Sequence, residues 1–345
     1  MAEYRAGIIG VGSRTVHGDL WAKTLTEMPN VTIECLSDEE SDSLERAVKQ
    51  FGVDRASADP RIVLEADDLD FVIVNTVDQL HAEQVSAALD GGKHAITDKP
   101  LGVDTSEAVE IARKAARNGL KVAVGQVFRF SPQYEFVKER VDCGDLGRIF
   151  QVDAGYVHDL RPVWDATPWR RDPDEPQNPW FGGALHPIDM VLWVGGEVTE
   201  VCAVETKASK PEEFPINDTA VILLKFASGA IGRVWNTFGI QQNPGFQTFC
   251  NAFGDEGSCW ANAGRNVVEL HTNWNVQDVG GPMYIPFNGQ AKPYVDCVAD
   301  FLSCIENDGT PRSDAVQGVK NMAVLDAAIK SVETGRFEPA VAPEI

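Results

Sequence analysis

The sequence lacks any apolar run near the roughly 20 residues of a bilayer-spanning helix, which excludes a helical membrane protein. Its first residues, Met1-Ala2-Glu3-Tyr4-Arg5, lack the apolar core of a secretory signal and enter a strand pattern at once. A cytoplasmic protein is the expectation. No Cys-x-x-Cys occurs. The seven cysteines, at positions 35, 143, 202, 250, 259, 297 and 304, are odd in number and scattered. None stands at zinc-ligand spacing from a histidine, so reduced thiols and no metal site are expected. Positive charge is scarce: 30 Lys and Arg face 52 Asp and Glu, for a net charge of -22. Such a field repels nucleic acid and anionic membranes. It fits a salt-adapted or very soluble protein and names no substrate.

What is present is ordinary for a folded soluble chain: 43% hydrophobic and 24% charged residues over a length of 345, enough for about two domains. Residues 1–125 alternate strand and helix patterns. Strands are expected at 5–9, 31–36, 71–75, 94–97 and 121–124, each short and apolar, as strands covered on both faces are. Helices are expected at 13–27, 41–51 and 79–89, and a capping box opens another at Asp104-Thr105-Ser106-Glu107. This alternation predicts an open parallel sheet with right-handed crossovers.

After residue 125 the pattern changes. A helix opens at Ser131-Pro132, and strands follow at 149–157, 198–205, 219–226, 230–238, 246–253 and 267–270. Many alternate apolar and polar residues, which predicts a mostly antiparallel sheet with one open face. Helices at 295–306 and 314–334 close the chain. The expected domains are 1–125, for a dinucleotide, and 126–345, for substrate and subunit contact. The stretch 161–182 breaks both periods, with five prolines and three tryptophans, and is expected to be a functional loop.

In an open α/β sheet the ligand lies beyond the carboxyl ends of the strands. The first strand runs into Ala6-Gly7-Ile8-Ile9-Gly10-Val11-Gly12-Ser13-Arg14. Gly10 permits a sharp turn, and Gly12 leaves room for a phosphate against the backbone. Thr15 stands where a third glycine is usual. After the second strand, Asp38 can accept from ribose hydroxyls, or can cap the next helix. Glu39 and Glu40 follow it with no base nearby, so NAD is favoured over NADP. Asn75, Thr76 and His81 follow the strand at 71–75, and Asp98, Lys99 and Pro100 follow the strand at 94–97. Lys99 at that strand end either stabilises an alkoxide and relays a proton or is a surface charge.

These motifs, in this order and spacing, resemble the Gfo/Idh/MocA oxidoreductases, which include glucose–fructose oxidoreductase and inositol dehydrogenase. Gly92-Lys93-His94-Ala95, Arg129-Phe130-Ser131-Pro132, Asp145-Leu146-Gly147-Arg148-Ile149 and Gly182-Gly183-Ala184-Leu185-His186-Pro187-Ile188-Asp189 extend the resemblance over nearly the whole chain. The resemblance implies a Rossmann domain followed by an α/β domain with a large, mostly antiparallel open sheet. It implies a homodimer or homotetramer through that sheet, catalytic roles for Lys99 and His186, and a cis bond before Pro100. One departure stands out. The family dehydrogenases carry an aspartate four positions before the histidine, and Gly182 occupies that place here.

Asp189 is the nearest substitute acid, or a buried capping carboxylate. Tyr156 and His158 share one strand face. They bind substrate hydroxyls if that face is the site floor, and serve core or interface otherwise. Arg129 binds substrate or cofactor, or forms a structural ion pair. Trp164 and Trp169 offer flat apolar faces to a sugar, or pack the loop onto its own domain. The implied reaction is NAD-linked oxidation of a secondary hydroxyl on a sugar, glycoside or cyclitol. Two alternatives stay open: redox-neutral sugar chemistry on a tightly held NAD, and a non-catalytic ligand sensor.

Overall fold

The run Phe71-Val72-Ile73-Val74 has no exposed residue, so both of its faces need cover. A computed structural model of the protein supplies that cover and describes residues 2–12, 18–174, 177–241, 246–263, 266–272, 282–287 and 291–345. In chain order the first part contains β1 Tyr4–Ile9, α1 Leu20–Thr26, β2 Val31–Ser37, α2 Ser41–Phe51, β3 Ala56–Ser57 and α3 Arg61–Leu64. It continues through β4 Phe71–Val74, α4 His81–Asp90, β5 His94–Thr97, α5 Thr105–Asn118 and β6 Val122–Val124. The six strands form one parallel sheet in the order β3-β2-β1-β4-β5-β6, with the chain reversing direction across the sheet at β1 and β4. Ligands bind at such a reversal in open α/β sheets.

Local chemistry sets the helix bounds. Asp104 accepts a hydrogen bond from the Glu107 amide at 2.9 Å, and the Glu107 carboxylate accepts one from the Val103 amide at 2.9 Å. Gly119, at φ +66°, ends α5 in the left-handed region that glycine tolerates best. Between these ends, Ala108, Ile111, Ala112 and Ala115 form the buried stripe.

The second part contains α6 Pro132–Asp142, β7 Ile149–His158, α7 Arg161–Ala166, α8 Leu185–Gly195, β8 Val198–Thr206, β9 Thr219–Phe226 and β10 Ile231–Thr237. It goes on through β11 Phe246–Gly254, β12 Gly257–Asn262, β13 Val267–Thr272, β14 Met283–Pro286, α9 Pro293–Glu306, α10 Ala315–Thr334 and β15 Glu338–Pro339. The nine strands order as β14-β13-β12-β11-β7-β10-β9-β8-β15, antiparallel except for the β7–β10 pair. Helix α8 covers β7, β10 and β11 on one face. On the other face Leu223, Ile231 and Trp260 are exposed.

The chain divides into two units, Met1–Val127 with Lys292–Met322 and Pro343–Ile345, and Phe128–Ala291 with Ala323–Ala342. Residues 292–322 thus return to the first unit, where a single cut at 125 would leave them in the second. Aromatic edges anchor that return: Phe301 meets Phe71 at 5.7 Å and Tyr294 meets Trp21 at 4.9 Å. Among the described residues, no helix is long and apolar enough to cross a membrane, and no cluster of three or more His, Cys, Asp or Glu could hold a metal.

Other expectations shift. The helix expected from residue 13 begins at Leu20, and 13–17 lie outside the described residues. The helix expected at 79–89 splits into a tight turn, Asp78–Leu80, and α4. Strands β3, β12, β14 and β15 were not expected. The stretch read as a loop instead folds into α7, a tight turn at Pro168–Arg171 and a π-helical turn at Trp180–Ala184. Pro162, Pro168 and Pro179 sit at the starts of these turns, where a missing N–H costs nothing.

Replacing Asp104 by Ala removes the cap of α5. It is expected to lower unfolding free energy by about 1 kcal/mol. Urea unfolding of the purified variant checks this, and an unchanged midpoint would remove the cap from the account.

Candidate active site

In the first unit the site is built mainly from backbone. Gly10 has φ +89°, and a Cβ there would lie 2.1 Å from the Asn75 carbonyl oxygen. No side chain fits that turn. Asn75 is buried, and its Nδ2 donates to the carbonyls of Gly10 at 3.1 Å and Gly18 at 3.4 Å. A Cβ on Gly12 would stand 2.6 Å from the Asp38 carboxylate. That carboxylate accepts from the amides of Val11 at 2.8 Å and Glu40 at 2.9 Å, so it ties the glycine turn to the end of β2. Burial raises its pKa above the usual carboxylate value, against these amide bonds.

A pocket opens beside this turn, lined by Gly10, Gly12, Asp38, Glu39, Ala58, Pro60, Thr76, Leu80 and Gln84, among others. Its residues fit NAD. Two carboxylates stand where ribose hydroxyls can donate, apolar walls suit a base, and no lysine or arginine lines the described pocket to take a 2′-phosphate. Ser13 and Arg14, expected to touch the cofactor, lie outside the described residues.

At the end of β5, Asp98 Oδ1 accepts from the Lys99 amide at 2.8 Å, and the Lys99–Pro100 bond is cis, as the resemblance implied. His81 corrects its expected role as a cofactor ligand. It is buried, with Nδ1 2.8 Å from the Pro100 carbonyl and Nε2 3.1 Å from the Thr76 carbonyl. Both ring nitrogens are engaged by backbone, so His81 is a strut between the loops after β4 and β5.

In the second unit the site is a row of side chains across strands. Register places Asn236 of β10 and Thr248 of β11 on either side of Tyr156 of β7, and Phe246 opposite His158. The His186 ring stacks on Tyr156 at 5.3 Å and 14°, and Phe128 meets it at 4.7 Å. His158 lies 5.8 Å from Tyr156 and 4.8 Å from Phe246. Burial drives His158 down to about 4, against the pull of Asp159, and burial pushes the Tyr156 phenol up to about 12, against the nearby Arg170 charge. Both side chains are therefore neutral through the physiological range.

Three other expectations are corrected. Arg129 and Asp189 are 3% and 2% exposed and pair with each other through two bonds of 2.7 Å. Neither can take a substrate, since each already neutralises the other. The pair fixes the helix that carries His186, one turn earlier on α8. Trp164 is fully buried, stacked on Phe214 at 4.8 Å and 9° in a core with Leu160 and Phe238. It supports Tyr156 from behind and offers no face to a sugar. Trp169 is partly exposed, with the Arg170 guanidinium 4.6 Å from its ring centroid.

Sequence reading missed Phe128, Asn236 and Phe246. Asn236 carried a signal: it shares strand parity with the buried Gly232 and Val234, so a polar side chain faces the core side.

Comparisons with known proteins follow the same division. A model of the oxidoreductase family with an NAD-binding Rossmann fold (GFO/IDH/MocA) matches residues 4–126, and the GFO/IDH/MocA C-terminal domain model matches residues 134–259. The scyllo-inositol 2-dehydrogenase (NAD(+)) of Bacillus subtilis (strain 168) is 25% identical over 340 residues, covering 96% of this chain and 95% of that protein. The levoglucosan dehydrogenase of Pseudarthrobacter phenanthrenivorans is 26% identical over 244 residues, covering 61% and 60%. Among solved structures, levoglucosan dehydrogenase in complex with NADH superposes with a TM-score of 0.87 at 20% identity, covering 99% of this chain and 100% of that one. At that identity the likeness speaks for the fold.

A half-buried histidine held neutral makes stability acid-sensitive. Between pH 6.5 and about 4 the unfolded chain binds a proton at His158 that the folded chain refuses, so stability falls as pH drops through this window. His158→Phe removes that share, and His94, also lowered by burial, keeps its own. Urea unfolding near pH 7 and pH 5 is expected to show a smaller loss in the variant. An equal loss in both proteins would refute the assignment.

Proposed function

The chain belongs to the GFO/IDH/MocA oxidoreductases, an NAD-binding family, and we propose that it oxidises a secondary hydroxyl of a sugar, glycoside or cyclitol. The observation that carries the substrate class is the neutral aromatic bed around His186. Tyr156, Phe128 and Phe246 supply flat apolar faces, while His158 beside them supplies an uncharged polar ring. Pyranoses and cyclitols present that same mixture of C–H faces and hydroxyl edges. The named inositol and levoglucosan dehydrogenases among the relatives support the reading.

In this reading the substrate O–H proton passes to His186, and the Lys99 ammonium stabilises the oxygen as it becomes an alkoxide. NAD held at Gly10, Gly12 and Asp38 would supply the hydride acceptor that lets the carbinol become a carbonyl. Tyr156 holds the His186 ring by stacking, and the Arg129–Asp189 pair holds its helix. Gly10, Gly12, Asp38, Asn75 and Thr76 hold the dinucleotide, and Asp98 and Pro100 set the backbone that carries Lys99.

We further propose that a second copy covers the open sheet face, forming a homodimer or larger homo-oligomer. There Leu223, Ile231 and Trp260 are 48%, 56% and 47% exposed, an apolar stretch that a lone subunit would leave in water. Light scattering should give at least twice the chain mass, and Ile231→Glu should lower it. A monomeric parent would end this part of the reading.

The main test is nicotinamide absorbance with NAD and a panel of scyllo-inositol, myo-inositol, levoglucosan and pyranoses. Sustained NADH formation with one class is expected. Substrate consumption without NADH would replace the reading by redox-neutral chemistry. Lys99→Met should cut turnover by roughly a hundredfold or more while NAD affinity stays within about threefold. Turnover preserved in that variant would remove Lys99 from the chemistry.

A further inference from the structure

The pocket beside the glycine turn has more lining than phosphate and ribose require. Phosphate finds its room at Gly10 and Gly12, and Asp38 and Glu39 stand where ribose hydroxyls can donate. The lining also includes Ala58 and Pro60 after β3, Val77 and Leu80 after β4, and Gln84 on α4. Four of these five are apolar. Ala58 is exposed and Leu80 is 37% exposed, so apolar surface stands in water there. A purine ring laid against it would remove that surface from water. With phosphate and ribose placed elsewhere, this part of the pocket is left for the base.

Gln84 is the polar member of that group. It follows Leu80 by four positions, so the two share one face where the tight turn at Asp78–Leu80 enters α4. Gln84 is 7% exposed, and its Oε1 accepts from Thr76 Oγ1, another lining residue, at 2.8 Å. The amide nitrogen differs. Nε2 finds no acceptor among the described residues, and it is not one of the side-chain atoms sealed off from water. A donor without an acceptor in a mostly buried side chain is a cost unless water or a ligand completes it. The amide is thus anchored at one end and open at the other.

We propose that Gln84 reads the adenine base of NAD. Its Nε2 donates to a ring nitrogen, and its Oε1 accepts from the exocyclic amino group with the lone pair that Thr76 leaves free. A carboxamide matches adenine in this two-bond way because it carries one donor and one acceptor side by side. Hypoxanthine has a carbonyl oxygen in place of the amino group, so Oε1 would face a second acceptor. Turning the amide over would take from the Thr76 hydroxyl the acceptor it bonds. The inference rests on the NAD site and on no substrate hydroxyl, so it stands or falls apart from the proposed sugar oxidation.

The test is titration calorimetry with no sugar present, comparing NAD with nicotinamide hypoxanthine dinucleotide. The two differ only at the base. The parent should bind NAD about tenfold or more tighter. Equal affinities in the parent overturn the proposal, and that measurement needs no variant. Gln84→Met keeps the length of the side chain and loses both amide bonds. Its NAD affinity should fall about tenfold, while its affinity for the hypoxanthine dinucleotide stays within about threefold, so the preference disappears. A merely structural role would weaken both dinucleotides alike and leave the preference in place, and that result overturns the assignment to Gln84. A parent that binds neither dinucleotide overturns the NAD site itself, and this inference with it.

Discussion

The second unit's site depends on the buried ion pair between Arg129 and Asp189. Removing two charges from water is costly, and only close, charge-assisted geometry offsets it. Here both carboxylate oxygens accept from the guanidinium at 2.7 Å, and the Trp193 ring lies 5.7 Å from the guanidinium carbon. Breaking such a pair leaves a lone buried charge, typically at a cost of about 3–5 kcal/mol. The arrangement is therefore nearly all-or-none. Phe128 precedes Arg129 and His186 precedes Asp189 by one helical turn, so the pair sets both ends of the 4.7 Å contact between Phe128 and His186.

The first unit solves its problem differently. Its turn is fixed by what is missing, a Cβ at Gly10 and at Gly12, and by side chains that bond to backbone. Asn75 reaches two carbonyls, Asp38 two amides, and His81 two carbonyls. The Asn75 bonds, the Asp38–Val11 bond and the His81–Pro100 contact join loops that follow different strands. The carboxyl end of the parallel sheet becomes one rigid rim, and a dinucleotide can be recognised largely by main-chain geometry.

That contrast explains what the sequence disclosed. Backbone-made sites leave glycines, asparagines and aspartates at fixed offsets from apolar strands, so Gly10, Gly12, Asp38 and Asn75 could be read directly. The parallel sheet was equally legible, because strands buried on both faces need continuous apolar runs. Packing-made sites leave weaker traces. Trp164 reads as a sugar platform by residue type, yet it stacks on Phe214, which lies fifty positions away in the chain. Arg129 and Asp189 read as candidate ligands because the sequence shows two charges and hides their mutual contact. Strands β12 and β14 were missed, since Gly257 opens β12, Asn262 closes it and Pro286 closes β14, residue types depleted in strands, and cross-strand pairing overrides that composition. The prolines at 162 and 168 suggested a loop, because the same residue that breaks a helix interior also starts a short helical turn.

The charge balance then bears on what the site can select. The chain carries a net -22, and its field opposes any anionic substrate approaching from solution. A neutral polyol meets no such barrier, and the second unit is equipped for one. With His158 near 4 and Tyr156 near 12, the pair changes charge only well outside the physiological range. Selection must then rest on hydrogen-bond geometry and ring contact, which acid or salt alters little. The dinucleotide is the exception, since it is itself anionic. A distant surface field is screened by salt, so the short-range contacts of the pocket beside Gly10 and Gly12 decide that binding.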